Sequence, residues 1–160
     1  MTMTESPPAK PRLLVLCTHN SARSQMVEGW LRRLVEEAGL AAEVWSAGTE
    51  KTRVKPEALA AMAEVGIDLG GQYSKTLYEV PDPWNFDLVL TVCDAAAEAC
   101  PAYPARTRRL HVSLPDPSGR PLSEWRRVRD AGGRVARALV GALADGRWPQ
   151  EEELRTAART

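Results

Sequence analysis

The residues best suited to chemistry lie in one short loop, Cys17-Thr18-His19-Asn20-Ser21-Ala22-Arg23-Ser24. A thiol followed by a proline-free loop and an arginine can hold a tetrahedral oxyanion, because backbone N–H groups and a bidentate guanidinium converge on the oxygens. The same electropositive surroundings lower the pKa of a thiol. We therefore predict that Cys17 is a catalytic thiolate, that Arg23 binds the oxyanion, and that residues 18–24 form the substrate-binding loop.

Two residues of this loop have predicted supporting roles. Ser24, at the start of the following helix, can donate to the Cys17 sulfur or cap the helix. Asn20 can adopt a left-handed turn and hydrogen-bond the rest of the loop. The alternative interpretation of the whole segment is a buried core thiol followed by a surface arginine.

A second segment, from Cys100 to Arg106, has the same spacing of cysteine and arginine. Two of its five inner positions are proline, which lacks the N–H group that an anion-binding loop supplies, and no strand leads into it. Cys17, in contrast, lies between an apolar run and a helical pattern. The context therefore favours Cys17 as the nucleophile.

The elements that position the loop follow from apolar patterns along the chain. The predicted strands are 13–16, 43–47, 87–92 and 108–113. The predicted helices are 24–38, 55–65 and 123–144, with an alanine-rich segment at 94–99. Alternating strands and helices favour a single-domain α/β fold, a four-stranded parallel sheet with helices on both faces. We predict a disordered lead-in at residues 1–11, a domain at 12–148 and a C-terminal tail at 149–160.

Composition and charge exclude several classes of partner. The 160 residues carry 21 basic and 21 acidic side chains, so no net field points to nucleic acid or a membrane. No stretch approaches the ~18 apolar residues of a membrane span, and residues 1–10 lack the apolar core of a signal peptide. We expect a cytoplasmic monomer. Three cysteines in such a chain argue against a structural disulfide framework and leave the thiols available for chemistry.

The chemistry of the loop also requires an acid, because displacing an oxygen from a phosphate-like anion leaves an oxyanion that needs a proton. Two Pro-Asp-Pro tripeptides offer candidates, Asp82 and Asp116. Active sites of parallel sheets lie at the carboxyl ends of the strands. Asp116 follows the fourth predicted strand, whereas Asp82 precedes the third. We therefore predict Asp116 as the general acid and Asp82 as a turn residue.

Two further cysteines lie near the same edge of the predicted sheet. Cys93 ends the third strand, and Cys100 follows seven residues later. They could be small core residues, or a metal pair with His19 or His111, but the spacer is too long for a zinc knuckle. We predict no metal site.

The chain resembles the low-molecular-weight protein tyrosine phosphatase fold and, within it, the thioredoxin-coupled arsenate reductases. The resemblance covers nearly all of residues 12–144. It includes the loop, Ser46-Ala47-Gly48-Thr49, Val54-Lys55-Pro56-Glu57-Ala58, Thr91-Val92-Cys93-Asp94 and Arg126-Arg127-Val128-Arg129-Asp130.

The resemblance implies reduction of arsenate to arsenite through a disulfide relay of Cys17, Cys93 and Cys100, with Asp116 in the family's matching Asp-Pro. It implies thioredoxin as the electron donor, re-reduced by NADPH through thioredoxin reductase, with no bound cofactor. Phosphate is then a substrate analogue, and activated phosphate esters are hydrolysed slowly. The alternatives are a tyrosine phosphatase without a redox role and a redox-sensing or oxyanion-binding protein.

Helix geometry adds an expectation for Cys93 and Cys100. In a regular helix their Cα atoms are separated by seven steps of ~1.5 Å, roughly 10 Å, beyond the ~7 Å that a disulfide permits. The segment between them must therefore unwind on oxidation.

The last expectation concerns a cation behind the loop. Some members of the resembling family bind potassium there, through side chains that match Asn20, Glu28, Ser46 and a Thr-x-Asp. This chain has Tyr73-Ser74-Lys75 at the last stretch, so an ammonium replaces a carboxylate. We expect Lys75 to supply the cation and to pair with Glu28; the alternative is a solvated loop residue.

Overall fold

A computed structural model describes residues 6–159, in which strands and helices alternate. The strands are β1 (Arg12–Cys17), β2 (Glu43–Gly48), β3 (Leu88–Thr91) and β4 (Arg108–His111). The helices are α1 (Arg23–Glu37), α2 (Pro56–Ala63), α3 (Asp94–Ala99), α4 (Leu122–Ala144) and α5 (Glu151–Arg159). None of the described helices is both long and apolar enough to cross a lipid bilayer.

The four strands form one parallel sheet in the order β2-β1-β3-β4. Every residue from Leu13 to Cys17 is at most 4% exposed. Because successive side chains of a strand point to opposite faces, burial of consecutive residues means that both faces of β1 are covered. The predicted fold class is confirmed.

The carboxyl ends of β1 and β3 are neighbours, since Leu16 lies beside Thr91 in the register. The chain leaves β1 toward β2 on one side and leaves β3 toward β4 on the other. This is the topological switch point, where open parallel sheets form a crevice at the strand ends. Cys17 ends β1 at this crevice, and Cys93 follows β3 there.

Close packing fixes the helices behind the crevice. A Cβ atom on Gly133 of α4 would lie 2.8 Å from the Trp30 ring of α1, and the indole N–H of Trp30 donates to the Arg129 carbonyl at 3.0 Å. The buried Arg129 side chain donates to the Ala61 carbonyl of α2 at 3.0 Å and pairs with Glu64. These contacts join α1, α2 and α4 into one layer, which holds the first turn of α1 in place.

The C-terminal region differs from the predicted tail, because residues 151–159 form α5. Leu154 is fully buried, and Arg134 of α4 donates to the carbonyls of Ala157 and Ala158. One buried leucine among charged residues produces little apolar pattern, so the helix was missed. At the other end, residues 6–11 of the predicted lead-in form neither helix nor strand, and residues 1–5 lie outside the described part.

We expect Leu154→Ala to destabilise the protein by about 2–5 kcal/mol, because it leaves a cavity under a docked helix. Denaturant unfolding measures the change. Glu152→Ala, on the exposed side of α5, is the matched control and should change the free energy of unfolding by less than ~0.5 kcal/mol. Equal effects of the two substitutions would contradict the docking of α5.

Candidate active site

The predicted loop borders a cavity of about 210 Å³ at the carboxyl end of β1. The residues that line this cavity are Cys17, His19, Ser21, Ala22, Arg23, Lys55, Asp116 and Ser118. The structure therefore brings together the predicted nucleophile and oxyanion-binding arginine, which share one loop, and the predicted acid, which lies more than 90 positions further along the chain.

Arg23 is the main cationic group of the cavity. Its guanidinium donates to the Leu114 carbonyl at 3.0 Å and lies 3.8 Å from the Asp116 carboxylate. Its Nε–H is buried and has no hydrogen-bond partner among the described residues. A buried donor of this kind is costly unless an acceptor reaches it, and the oxygen of an anion is the strongest acceptor available.

The surroundings of Asp116 keep its carboxyl ionised until an anion binds beside it. Burial raises the pKa of Asp116, but the hydrogen bonds from Ser118 and the charges of Arg23 and Lys55 outweigh it, so the pKa lies below its ordinary value. The carboxyl is thus ionised at neutral pH in the free protein. A bound oxyanion adds negative charge beside it, which raises the pKa of Asp116 and favours the protonated form.

The other Pro-Asp-Pro lies away from the cavity. Asp82 adopts a left-handed conformation with φ 49°, and its carbonyl accepts from Arg12 at the amino end of β1. It is a turn residue at the opposite edge of the sheet. Of the two candidate acids, Asp116 alone lines the cavity.

Asn20 lies behind the loop and holds its shape. It adopts the predicted left-handed conformation with φ 50° and is fully buried. Its amide donates to the hydroxyls of Ser24 and Ser46 at 2.8 and 2.9 Å, and its carbonyl oxygen accepts from Gln25 and from the Lys75 N–H. Ser24 therefore faces Asn20 and does not cap α1, whose N-cap is Ala22.

Gly48 lets β2 approach the loop more closely than any other residue could. A Cβ atom there would lie 2.6 Å from the Thr18 carbonyl oxygen and 2.9 Å from the Asn20 nitrogen, both backbone atoms that cannot rotate away. The Gly48 N–H donates to the Lys75 carbonyl at 2.9 Å. The absence of a side chain at this position is therefore a steric condition for the loop.

Lys75 is buried behind the loop, at 1% exposure, but the predicted pair with Glu28 is not formed. The Lys75 ammonium donates to the Tyr73 carbonyl at 2.7 Å and lies over the Tyr73 ring. Glu28 instead pairs with Arg32 at 2.6 Å and accepts from Ser46, because Arg32 lies one helical turn away. Burial lowers the pKa of Lys75, and the nearby Glu28 charge opposes that shift. The alternative of a solvated residue is also wrong.

Cys17 and Cys93 are both buried, and each thiol shifts the pKa of the other. The Cys93 sulfur lies 3.2 Å from the Thr18 hydroxyl and 3.4 Å from the Ala96 N–H. Interaction with the Cys17 thiol, together with the Thr18 hydroxyl, lowers the pKa of Cys93 to about 5. Interaction with the Cys93 thiol, together with burial, raises the pKa of Cys17.

The pair therefore carries one negative charge and one proton at neutral pH, and the neighbouring Cys93 thiol raises the pKa of Cys17. This is opposite to the lowered Cys17 pKa that the loop sequence predicts. The reason is that the loop supplies cationic and N–H groups to Cys17, whereas the neighbouring thiol arrives from a different strand and keeps a proton on Cys17.

Cys100 lies outside this cavity, at the C-terminal end of α3. It lines a second cavity of about 280 Å³ with Thr91, Ala97, Arg109, Leu110, His111 and Glu151. Burial raises the pKa of Cys100, and the Arg109 guanidinium beside it opposes that shift. Arg106 pairs with Asp87 at 3.2 Å, so the second cysteine–arginine segment forms no anion-binding loop.

Two residues of the active-site cavity were missed from the sequence, Lys55 and Ser118. Lys55 directly precedes α2, and its N–H donates to the Ser21 carbonyl at 2.9 Å, which joins the loop to that helix. Lys55 follows the carboxyl end of β2, at the edge of the sheet where the cavity lies, and this position could have identified it from the sequence.

Comparison with known proteins agrees with this geometry. The low molecular weight phosphotyrosine protein phosphatase family profile matches residues 12–147. The arsenate reductase of Staphylococcus aureus strain bovine RF122 / ET3-1 is 40% identical over 121 residues, covering 76% of this chain and 89% of that protein. A solved arsenate reductase in the phosphate binding state is 31% identical with TM-score 0.73, over 83% of this chain and 98% of that one. Another, in the oxidized state, is 31% identical with TM-score 0.72, over 82% and 98%. The resemblance found in the motifs is confirmed.

We expect Gly48→Ala to displace the loop and to lower the free energy of unfolding by about 1–3 kcal/mol. The displaced loop should also bind phosphate more weakly. Denaturant unfolding and calorimetric phosphate titration measure the two effects. Gly141→Ala on α4, where an added Cβ meets nothing within 4 Å, is the matched control and should leave phosphate binding unchanged. Wild-type phosphate affinity in Gly48→Ala would contradict the steric role of Gly48.

We expect the thiolate absorbance near 240 nm to rise in one step near pH 5 as pH increases, because Cys93 loses its proton while Cys17 keeps its own. Cys17→Ala removes the thiol that lowers the Cys93 pKa, so the step should move to higher pH. Cys100→Ala is the control and should leave the step in place. A wild-type step near pH 9 instead would show that the pair is not coupled in this way.

Proposed function

This chain belongs to the low molecular weight phosphotyrosine protein phosphatase family, and from that premise we propose that it is an arsenate reductase, converting arsenate to arsenite. The observation that carries the proposal is the position of the Cys93 thiol beside the Cys17 loop, where its sulfur lies 3.2 Å from the Thr18 hydroxyl and interacts with the Cys17 thiol. Hydrolysis of a phosphate ester needs one thiol and an acid, whereas reduction of an oxyanion needs a second thiol that can reach the first. The arsenate reductases similar to this chain support the same reaction.

The cavity suits a small tetrahedral oxyanion such as arsenate or its analogue phosphate. Its volume, about 210 Å³, is small, and Arg23 and Lys55 supply positive charge. No Phe, Tyr or Trp occurs among the described residues that line it. An aryl ester therefore has no ring to stack on there, which favours arsenate reduction over a dedicated tyrosine phosphatase, with slow ester hydrolysis as a side reaction.

In the first step the Cys17 sulfur attacks arsenic. Cys17 becomes a thiolate by passing its proton to Cys93. Arg23 and the loop N–H groups hold the oxygens of the arsenate, and Asp116 protonates the oxygen that leaves as water. The product is a Cys17 thioester of pentavalent arsenic.

In the second step Cys93 gives up the proton that it took from Cys17, which ends on an oxygen of the departing arsenite, and the Cys93 thiolate attacks the Cys17 sulfur. The sulfur–arsenic bond breaks, and its electron pair stays on arsenic, which leaves as trivalent arsenite. The Thr18 hydroxyl and the Ala96 N–H stabilise the Cys93 thiolate that this step requires. The two thiols are left as a Cys17–Cys93 disulfide.

In the third step Cys100 attacks the Cys93 sulfur, and Cys17 leaves as a thiolate beside Arg23. Cys93 and Cys100 flank α3 at its two ends, so the helix must unwind to join them. The exposed Cys93–Cys100 disulfide is then reduced by thioredoxin, which takes electrons from NADPH through thioredoxin reductase. The protein acts as a cytoplasmic monomer without a bound cofactor.

We expect arsenate-dependent NADPH oxidation in the presence of thioredoxin and thioredoxin reductase. Cys93→Ser and Cys100→Ser should both abolish turnover, because each interrupts the relay. Cys100→Ser should still release a single arsenite per protein molecule and accumulate the Cys17–Cys93 disulfide, which mass spectrometry detects.

Hydrolysis of p-nitrophenyl phosphate is the internal control, since it needs Cys17, Arg23 and Asp116 but neither of the other cysteines. Cys100→Ser should retain it at the slow wild-type rate. Cys93→Ser should retain it with a shifted pH dependence, because this substitution removes the thiol that takes the Cys17 proton. Arsenate reduction that survives both substitutions, together with fast ester hydrolysis, would instead identify a phosphatase.

A further inference from the structure

The strand β4 contacts both ends of α3, the helix that separates Cys93 from Cys100. We propose that Arg109 and His111 are positioning residues that hold these two thiols apart in the reduced protein and thereby set how readily they form a disulfide. The inference rests on the relay proposed above and names the device that regulates its last step.

His111 holds the N-terminal end of α3. Its Nε2 lies 2.8 Å from the Asp94 carboxylate, and its Nδ1 lies 2.7 Å from the Thr91 hydroxyl. A ring with its hydrogen on Nε2 satisfies both bonds, donating to Asp94 and accepting from Thr91. Asp94 is the first residue of α3 and directly follows Cys93. This end of the helix is therefore joined to β3 and β4 at once.

Arg109 lies at the C-terminal end of α3. It precedes His111 by two residues on β4, so both side chains project from the same face of the strand. Its guanidinium lies beside the Cys100 sulfur, and both residues line the cavity of about 280 Å³. Arg108 projects from the opposite face, where it lies over the Trp148 ring.

The two contacts stabilise a helix that keeps Cys93 and Cys100 further apart than a disulfide permits. A six-residue helix between the two cysteines keeps their Cα atoms roughly 10 Å apart, and a disulfide needs about 7 Å or less. To reach Cys93, Cys100 must move away from Arg109. Asp94, the neighbour of Cys93, is bound to His111, which lies two residues beyond Arg109 on β4. The contacts therefore belong to the reduced, helical form, and their loss favours the disulfide.

The strand that holds α3 is itself fixed by α5. The His111 N–H donates to the Glu151 carboxylate at 2.9 Å, and the His111 carbonyl accepts from Arg155 at 2.9 Å. The edge of β4 is thus held by backbone contacts that do not involve the imidazole. Substitution of the His111 side chain leaves them in place and removes only the ring contacts to Asp94 of α3 and Thr91 of β3.

The test measures the Cys93–Cys100 disulfide directly, in the full chain carrying Cys17→Ala so that no other disulfide competes. The protein is equilibrated with mixtures of reduced and oxidised dithiothreitol, in which two thiols lose two electrons and two protons as the cyclic reagent is reduced. Alkylation and mass spectrometry give the oxidised fraction. His111→Phe and Arg109→Gln should each raise the equilibrium constant for the disulfide by about two- to tenfold.

Matched controls separate this effect from a general loss of stability. Arg108→Gln removes the same charge from the opposite face of β4, and Glu98→Gln removes a charge from α3 away from both contacts; neither should change the constant. Asp94→Asn replaces the carboxylate acceptor of His111 by a neutral amide oxygen at an exposed position, and should act in the same direction as His111→Phe but more weakly, without disturbing the core.

Unchanged constants in His111→Phe and Asp94→Asn would overturn the role of His111, and an unchanged constant in Arg109→Gln would overturn that of Arg109. Failure of the parent protein to form the disulfide at any reagent ratio would overturn the relay and this inference together. A disulfide that forms with one constant in every variant overturns the inference alone.

Discussion

The rest of this structure depends on two buried sulfurs, those of Cys17 and Cys93, which share one proton. Two adjacent thiolates in a buried site repel each other strongly, so the pair carries one charge and one proton at neutral pH. In the proposed mechanism the nucleophile and the thiol that later attacks it are therefore each other's acid and base. Arg23 and the loop amides must then supply enough positive potential for Cys17 to hold the charge beside a bound oxyanion.

That placement depends on contacts behind the loop more than on the loop itself. Asn20 in a left-handed conformation costs about 1–2 kcal/mol, and its hydrogen bonds to Ser24, Ser46 and Gln25 offset this cost. Gly48 allows the end of β2 to touch the loop backbone. The cavity is rigid because these supports are buried. Asp116, on the loop after β4, has a side chain that is more than half exposed, and its pKa responds to bound charge.

The proposed redox relay uses the part of the fold that can change conformation at little cost in free energy. Only Ala96 is buried among the residues of α3, so unwinding this helix exposes little apolar surface and leaves the core intact. The contacts that resist unwinding are polar and lie on an edge strand, at His111 and Arg109. Polar contacts of this kind are modest in strength, which suits an element that must change conformation in each catalytic cycle.

Local patterns in the sequence were sufficient for the fold class and for placing the Cys17–Arg23 loop and Asp116, but not Asp82, at one edge of the sheet. Apolar runs and their order determine a parallel sheet, and a parallel sheet determines which loops share an edge. The tertiary structure alone decided that the Cys93 thiol raises the pKa of Cys17, that Glu28 pairs with Arg32 rather than Lys75, that Gly48 is sterically required, and that α5 secures His111. These features depend on contacts between residues distant in the chain, such as Thr18 and Cys93, which are 75 positions apart. The burial of a side chain, its distances to other groups and its choice among partners are determined only when such segments pack together. The sequence of one segment does not specify which other segment it will contact.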